Sequence, residues 1–248
     1  MILAHFSDIH LGQDYKGDGG ARALRRAQQV VDYLNSMAGH VDAVLVTGDL
    51  ADHGAPDEYR QVRELLGTLR FPVLTCPGNH DDRVGYQTVL LGEPAEHGEP
   101  VNHVHQVAGH TIAMCDSSIP RRNEGLLDET TLTWLDKVLT DTEDPALVCF
   151  HHPPGPLHIP FLEDILLTNE EQLAEVLNDK VVAVLCGHAH TAATTTFAGR
   201  PLVVAPGVVS TAVLPFESDD VVDFGLPPAI AFHVLDDHRG LVTHFRSL

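Results

Sequence analysis

Five short clusters in this chain carry the residue types from which a metal centre can be assembled: Asp8-Ile9-His10, Gly48-Asp49, Gly78-Asn79-His80-Asp81, His151-His152 and Gly187-His188-Ala189-His190. Each follows an apolar run that reads as a β-strand. Hydrophobic strands that end repeatedly in carboxylate, amide or imidazole are hard to explain as core design. Two Asp, one Asn and four His make an oxygen and nitrogen donor set without thiolate, suited to Mn(II), Fe or Zn rather than to a structural zinc knuckle. Seven donors exceed the needs of one ion, and a carboxylate such as Asp49 can bridge two. Two ions about 4 Å apart can hold a phosphoryl group, acidify a water between them and stabilise the leaving oxygen. His80 follows Asn79 directly, so it can border such a site without being a ligand. It is then free to protonate a leaving alkoxide or to stabilise transition-state charge.

The elements that must position these clusters alternate along the chain. Met1–Phe6, Asp42–Thr47 and Phe71–Cys76 read as strands, with helical patterns over Ala21–Met37 and Asp57–Leu69 between them. This βαβαβ order favours parallel strands with covering helices. Val101–Val107 and His110–Cys115 alternate like a hairpin around Gly109, followed by a helix over Asp128–Leu139 and a strand over Pro145–Phe150. Glu170–Leu177 is helical, and Val181–Cys186, Ala192–Phe197, Pro201–Ala205, Ala229–Leu235 and Leu241–Phe245 are strand-like. Loops leaving the same ends of parallel strands converge on one crevice, so clusters spread over most of the chain can meet. No repeat or low-complexity linker divides residues 1–248, which read as one α/β domain of two mixed sheets face to face with helices outside. Residues 206–228, rich in Pro, Gly and Asp, fit a loop, a flap or a dimer contact.

Composition limits the partners. With 15 Lys and Arg against 35 Asp and Glu, the net charge of −20 repels nucleic-acid polymers and anionic membranes at long range. No apolar run is long enough to span a bilayer. The start, MILAHFSDIHL, has no basic region and no signal-peptidase site, so a cytoplasmic protein is expected. Cys76, Cys115, Cys149 and Cys186 lie far apart at the ends of apolar runs and read as small core residues, not disulfides.

The ordered set D-x-H, GD, GNHD, H and G-H-x-H resembles the calcineurin-like metallophosphoesterase superfamily, from residue 8 to residue 190. The full set is highly specific, whereas any block alone is weak. GDLAD, PGNHD, FHHPP and CGHAH further resemble the bacterial branch of class III cyclic nucleotide phosphodiesterases and glycerophosphodiesterases. The resemblance implies a four-layer α/β/β/α sandwich and a pair of divalent or trivalent ions, Mn and Fe ahead of Zn or Co. It implies one metal on Asp8, His10 and His190 and a second on Asn79, His151 and His188, with Asp49 bridging. It matches His80 to the family's catalytic histidine and Asp52 to the acid that orients it. The implied reaction is attack of a metal-bridging hydroxide on a small phosphodiester, and the implied assembly is a homodimer or larger homo-oligomer.

Other residues read more plainly. His5 reads as a packed core histidine, and His152 as a neighbour of the site or a loop residue. His53, His97, His103, His105, His110 and His158 read as loop histidines, and Asp81 as a helix cap. Asp116-Ser117-Ser118 ends another strand, with a phosphate contact and a structural role evenly weighted. Arg121 and Arg122 read as solvated loop arginines. A nuclease of the same superfamily ranks lower, since a −20 chain of one domain offers no basic groove. A phosphomonoesterase or protein phosphatase ranks lower because FHHPP and CGHAH resemble the small-diester branch more closely. A non-enzymatic scaffold ranks lowest, because every ligand is retained.

Overall fold

The computed structural model describes residues 1–95, 98–236 and 240–248, so the expectation for His97 lies outside the described residues. Strands β1 (Ile2–Phe6), β2 (Ala43–Thr47) and β3 (Val73–Cys76) are parallel, joined through helices α1 (Ala21–Ser36) and α2 (Pro56–Leu66). A short helix α3 (Arg83–Gly85) runs into a π-helical turn over Tyr86–Leu91. Then come β4 (His103–Val107), β5 (His110–Met114), α4 (Glu129–Asp141), β6 (Ala146–Cys149), α5 (Glu170–Val176) and β7 (Val181–Cys186). The chain ends with β8 (Ala193–Phe197), β9 (Arg200–Val204), a ribbon of β10 (Thr211–Ala212) and β11 (Val222–Asp223), β12 (Ala229–Asp236) and β13 (Gly240–Ser247). One sheet has the order β13-β12-β1-β2-β3, the other β4-β5-β6-β7-β9-β8.

Three apolar layers explain why these strands are so hydrophobic. Along β2, Ala43 and Leu45 face the second sheet, where they pack with Met114, Leu147 and Leu185. Val44 and Val46 face the other way, against Val30 and Leu34 of α1 and Tyr59 and Val62 of α2. The second sheet repeats the plan, with Val148 and Val184 under Leu135 and Leu139 of α4 and Leu173 of α5. A strand covered on both faces cannot alternate with polar residues. The result is the expected α/β/β/α sandwich. All four cysteines are free and buried in these layers.

Several local expectations change. Helix α2 starts one residue early, because Pro56 occupies its first turn, and stops at Leu66, three residues before the expected end. The stretch after the GNHD motif is helical because the Asp82 carboxylate accepts a hydrogen bond from the Gly85 amide at 2.8 Å. Asp82, not Asp81, is thus the cap. The β4–β5 hairpin forms where the alternating pattern places it, so His103, His105 and His110 lie on its strands, which corrects the separate reading of them as loop histidines.

His5 is fully buried and belongs to a hydrogen-bonded chain. Its Nδ1 lies 3.0 Å from His233 Nε2, its Nε2 2.9 Å from Thr47 Oγ1, and His233 Nδ1 2.9 Å from Thr243 Oγ1. Burial keeps both rings neutral, lowering His5 well below the usual 6.5, with His233 adding to it, and His233 to about 3. The unfolded chain therefore takes up protons there that the folded chain refuses. The stabilisation is complete above the unfolded value near 6.5 and is lost as pH falls towards 3, by about 1.4 kcal/mol per pH unit for each ring. Denaturant titrations between pH 6.5 and 4 should show a shallower acid loss for His233→Gln than for the unaltered protein; equal slopes would contradict this account.

Candidate metal centre

All five clusters leave the C-terminal ends of parallel strands. Asp8 and His10 follow β1, Asp49 follows β2, Asn79 and His80 follow β3, His151 follows β6, and His188 and His190 follow β7. The loops lock to one another through their backbones: Asp8 N–H donates to Gly48 O at 3.2 Å, His10 N–H to Asp49 O at 3.0 Å, and Gly187 N–H to His151 O at 2.9 Å. His188 N–H crosses between the sheets to Asp8 Oδ2 at 3.2 Å. Asp81, read from sequence as a cap, instead ties two of these loops together. Its carboxylate accepts from the amides of Gly78 (2.9 Å), Ala51 (3.1 Å) and Leu50 (3.2 Å). Five of the seven expected ligands, Asp8, His10, Asp49, His188 and His190, have left-handed φ between 43° and 68°. Such residues turn an extended strand sharply, and non-glycine strain of this kind gathers at functional sites. Gly78 leaves room for the turn at β2, since a Cβ there would lie 2.2 Å from Asp49 Oδ1.

The donor atoms converge in two groups. His10 Nε2 lies 3.3 Å from His190 Nε2 and 3.4 Å from Asp49 Oδ2, and His190 Nε2 lies 3.4 Å from Asp8 Oδ1. His151 Nε2 lies 3.3 Å from Asp49 Oδ2, 3.1 Å from Asn79 Oδ1 and 3.1 Å from His188 Nδ1. Asp49 Oδ2 belongs to both groups, while its Oδ1 accepts the His80 backbone N–H at 2.9 Å. Asp8 Oδ1 is buried with no hydrogen-bond partner among the described residues. A buried carboxylate oxygen with no donor is costly unless a cation neutralises it, so the residues fit a metal.

The chain matches the sequence model described as "Calcineurin-like phosphoesterase" over residues 1–192. It belongs to that family. Its relatives include a glycerophosphodiester phosphodiesterase (GpdQ) of Enterobacter lignolyticus, 33% identical over 84% of this chain and 78% of the relative. A cAMP/cGMP dual specificity phosphodiesterase of Mycobacterium tuberculosis is 34% identical over 85% of this chain and 68% of the relative. Among solved structures, a dimetal phosphatase from Danio rerio superposes with a TM-score of 0.66 over 99% of this chain and 98% of that one, at 16% identity. That likeness concerns the fold. Family and relatives make the chain a metal-dependent phosphodiesterase, and its clustered His and Asp side chains suit a binuclear metal site.

An outer ring of hydrogen bonds aims the phosphoesterase's imidazoles. His10 Nδ1–H donates to Asp52 Oδ1 at 2.9 Å, His151 Nδ1–H to Thr47 O at 2.7 Å, and His190 Nδ1 shares a hydrogen bond with Ser210 Oγ at 2.8 Å. These bonds fix which nitrogen faces inward. Thr47 and Ser210 escaped the sequence reading, and a strand-end threonine or a loop serine carries no local signal of this role. Asp52 differs from the expectation in one respect. Its carboxylate sits on His10, 3.9 Å from His80 Nδ1, and it is the Asp52 backbone carbonyl that accepts His80 Nδ1–H at 2.8 Å. The ring of His80 packs edge-on against His10, 4.6 Å between centroids, with its side chain 41% exposed. His152 is buried beside His151 and His188, its Nδ1 2.8 Å from Ser117 Oγ. Asp116 serves structure: its carboxylate pairs with Arg83 at 2.7 Å and accepts from Ser118 and Val101.

Charges in the site lean on one another. Burial opposes a charge on His151, but the Asp49 and Asp8 carboxylates outweigh it and raise the ring to about 9. Asp49 shows the converse: burial pushes it up, while His151 and His10 hold it well below the usual range. Burial, with the neighbouring Asp49 carboxylate adding to it, lifts Asp8 to about 6 against the pull of His151. A cation held here would take the place of the His151 proton. Asp52→Asn, which keeps the carbonyl for His80 but weakens the grip on His10, should lower metal affinity about 10- to 100-fold. Excess Mn(II) should then restore most of the rate; a loss that added metal cannot repair would put the carboxylate's role on His80 instead.

Proposed function

We propose that this chain hydrolyses small phosphodiesters, either 3′,5′-cyclic nucleotides or glycerophosphodiesters, at two ions held by Asp8, His10, Asp49 and His190 on one side and Asp49, Asn79, His151 and His188 on the other. The observation that carries the reading is the shared Asp49 Oδ2 at the meeting of two four-donor groups, with half-exposed His80 alongside. When bound, the ions supply the positive charge that holds the phosphoryl oxygens and acidifies a water. His80 carries its Nδ1 proton on the Asp52 carbonyl, so Nε2 is the atom that passes a proton to the departing alkoxide. Asp49 and Asp52 favour the protonated ring against the effect of burial, as an acid requires. A cavity of about 680 Å³ beside His80 and Asn79 has room for a diester's arms, and the −20 charge disfavours a polyanionic chain there. Both named relatives act on small diesters of these two kinds.

The deciding experiment compares kcat/KM for 3′,5′-cAMP and for glycerophosphoethanolamine with Mn(II)-loaded protein. A ratio far from one names the class, and no turnover of either overturns the proposal. Mn and Fe are the favoured ions, since the donors are oxygen and imidazole only. Four unpaired buried cysteines suit a reducing cytoplasm. Exposed Phe216, Val221 and Leu226 make the 206–228 segment the proposed contact of a homo-oligomer, which a monomeric mass by light scattering would contradict.

A further inference from the structure

Two cavities share His80 and Asn79 in their walls. The wider is polar, with His53, Arg83, Ser118 and Arg121. The narrower, about 200 Å³, is walled by Phe161, Leu162, Ile165, Ala212 and Val222 together with the polar Asn123, and it reaches the proposed donors Asp49, His188 and His190. We propose that this narrower cavity is a subsite for one apolar ring on an ester arm, and that Phe161 determines a preference for ring-bearing diesters. The inference rests on the phosphodiesterase reading and adds to it which arm is recognised, and where.

Size and chemistry both support it. An apolar cavity of about 150 Å³ holds a benzene ring, so this one, part of which borders the proposed donors, admits at most a single ring. A hydroxylated arm placed among these five side chains would give up most of its hydrogen bonds to water, with Asn123 the partner the wall offers beside the proposed centre. A ring there covers the face of Phe161, which is 38% exposed, and gains ring–ring contact. The far wall is held in place beforehand. Arg22 Nη1–H donates to Val209 O at 2.7 Å and Nη2–H to Phe224 O, while Arg26 Nε–H donates to Val208 O and Nη2–H to Leu226 O, both at 2.6 Å. Two arginines one turn apart on α1 thus clasp both ends of the segment that carries Ala212 and Val222. A wall fixed before binding adds no ordering cost when the ring enters.

Phenylphosphonate and methylphosphonate, tested as competitive inhibitors of bis(p-nitrophenyl) phosphate hydrolysis by the Mn(II)-loaded protein, separate the outcomes. Phenylphosphonate should bind about tenfold more tightly, a ring–ring contact plus buried apolar area. Phe161→Ala should bring the two inhibition constants within about twofold of each other, and Phe161→Tyr, which keeps the ring, should preserve the gap. Equal constants in the unaltered protein, or a gap that survives Phe161→Ala, would overturn the subsite while leaving diester hydrolysis intact. Failure to hydrolyse any diester would overturn the phosphodiesterase reading and the subsite with it.

Discussion

Asp49→Asn should cost about three orders of magnitude in diester hydrolysis and should also empty the centre. Asp49 Oδ2 lies 3.4 Å from His10 Nε2 and 3.3 Å from His151 Nε2, so its charge serves both donor groups at once. An amide keeps the shape but offers each cation a neutral oxygen. Its Oδ1, which receives the His80 backbone N–H, also fixes the GNHD loop, so the acid is displaced together with the ions. Metal analysis should find clearly fewer than two ions per chain, and the double loss separates this variant from those at the outer ring. Two tightly held ions with near-normal turnover would end the bridging assignment.

His80→Ala should leave metal content unchanged and lower kcat by about 10²- to 10⁴-fold for diesters with alkoxide leaving groups. The loss should be much smaller for p-nitrophenyl esters, whose phenolate departs without a proton. The ring takes no place in either donor group; it stands beside His10 and is held through the Asp52 carbonyl. Its proton-bearing form is the useful one. Burial works against that form, while Asp49 and the Asp52 contacts raise the ring above 6.5. Bound cations push back in the other direction. Whatever value results, the rate of the unaltered enzyme should fall as pH rises through it, and His80→Ala should lack that alkaline limb. Equal losses for alkoxide and nitrophenolate esters would point to charge stabilisation in place of proton transfer.

The elements were legible because their signals are local. Strands buried on both faces have to be apolar throughout, as β2 and β7 are, and helices such as α1 repeat their apolar residues at helical spacing. The stretch 83–91 was not legible, since its helix is started by a single carboxylate, that of Asp82, with no apolar periodicity to announce it. Histidines on β4 looked like loop residues because an edge strand exposes Val104 and half-buries its polar neighbours, the reverse of the usual alternation.

By itself the sequence determined the donor types, their order and their places at strand ends, since these depend on hydropathy and short motifs within a few residues. The tertiary structure decided what depends on contacts between distant parts of the chain. It put one oxygen of Asp49 between two donor groups, set the Asp52 carboxylate on His10 and its carbonyl on His80, and brought Ser210 to His190. It also joined the wall at Phe161 to the wall at Val222. Such pairings turn on backbone dihedrals and on which ring nitrogen faces inward, and neither is written in residue type or spacing.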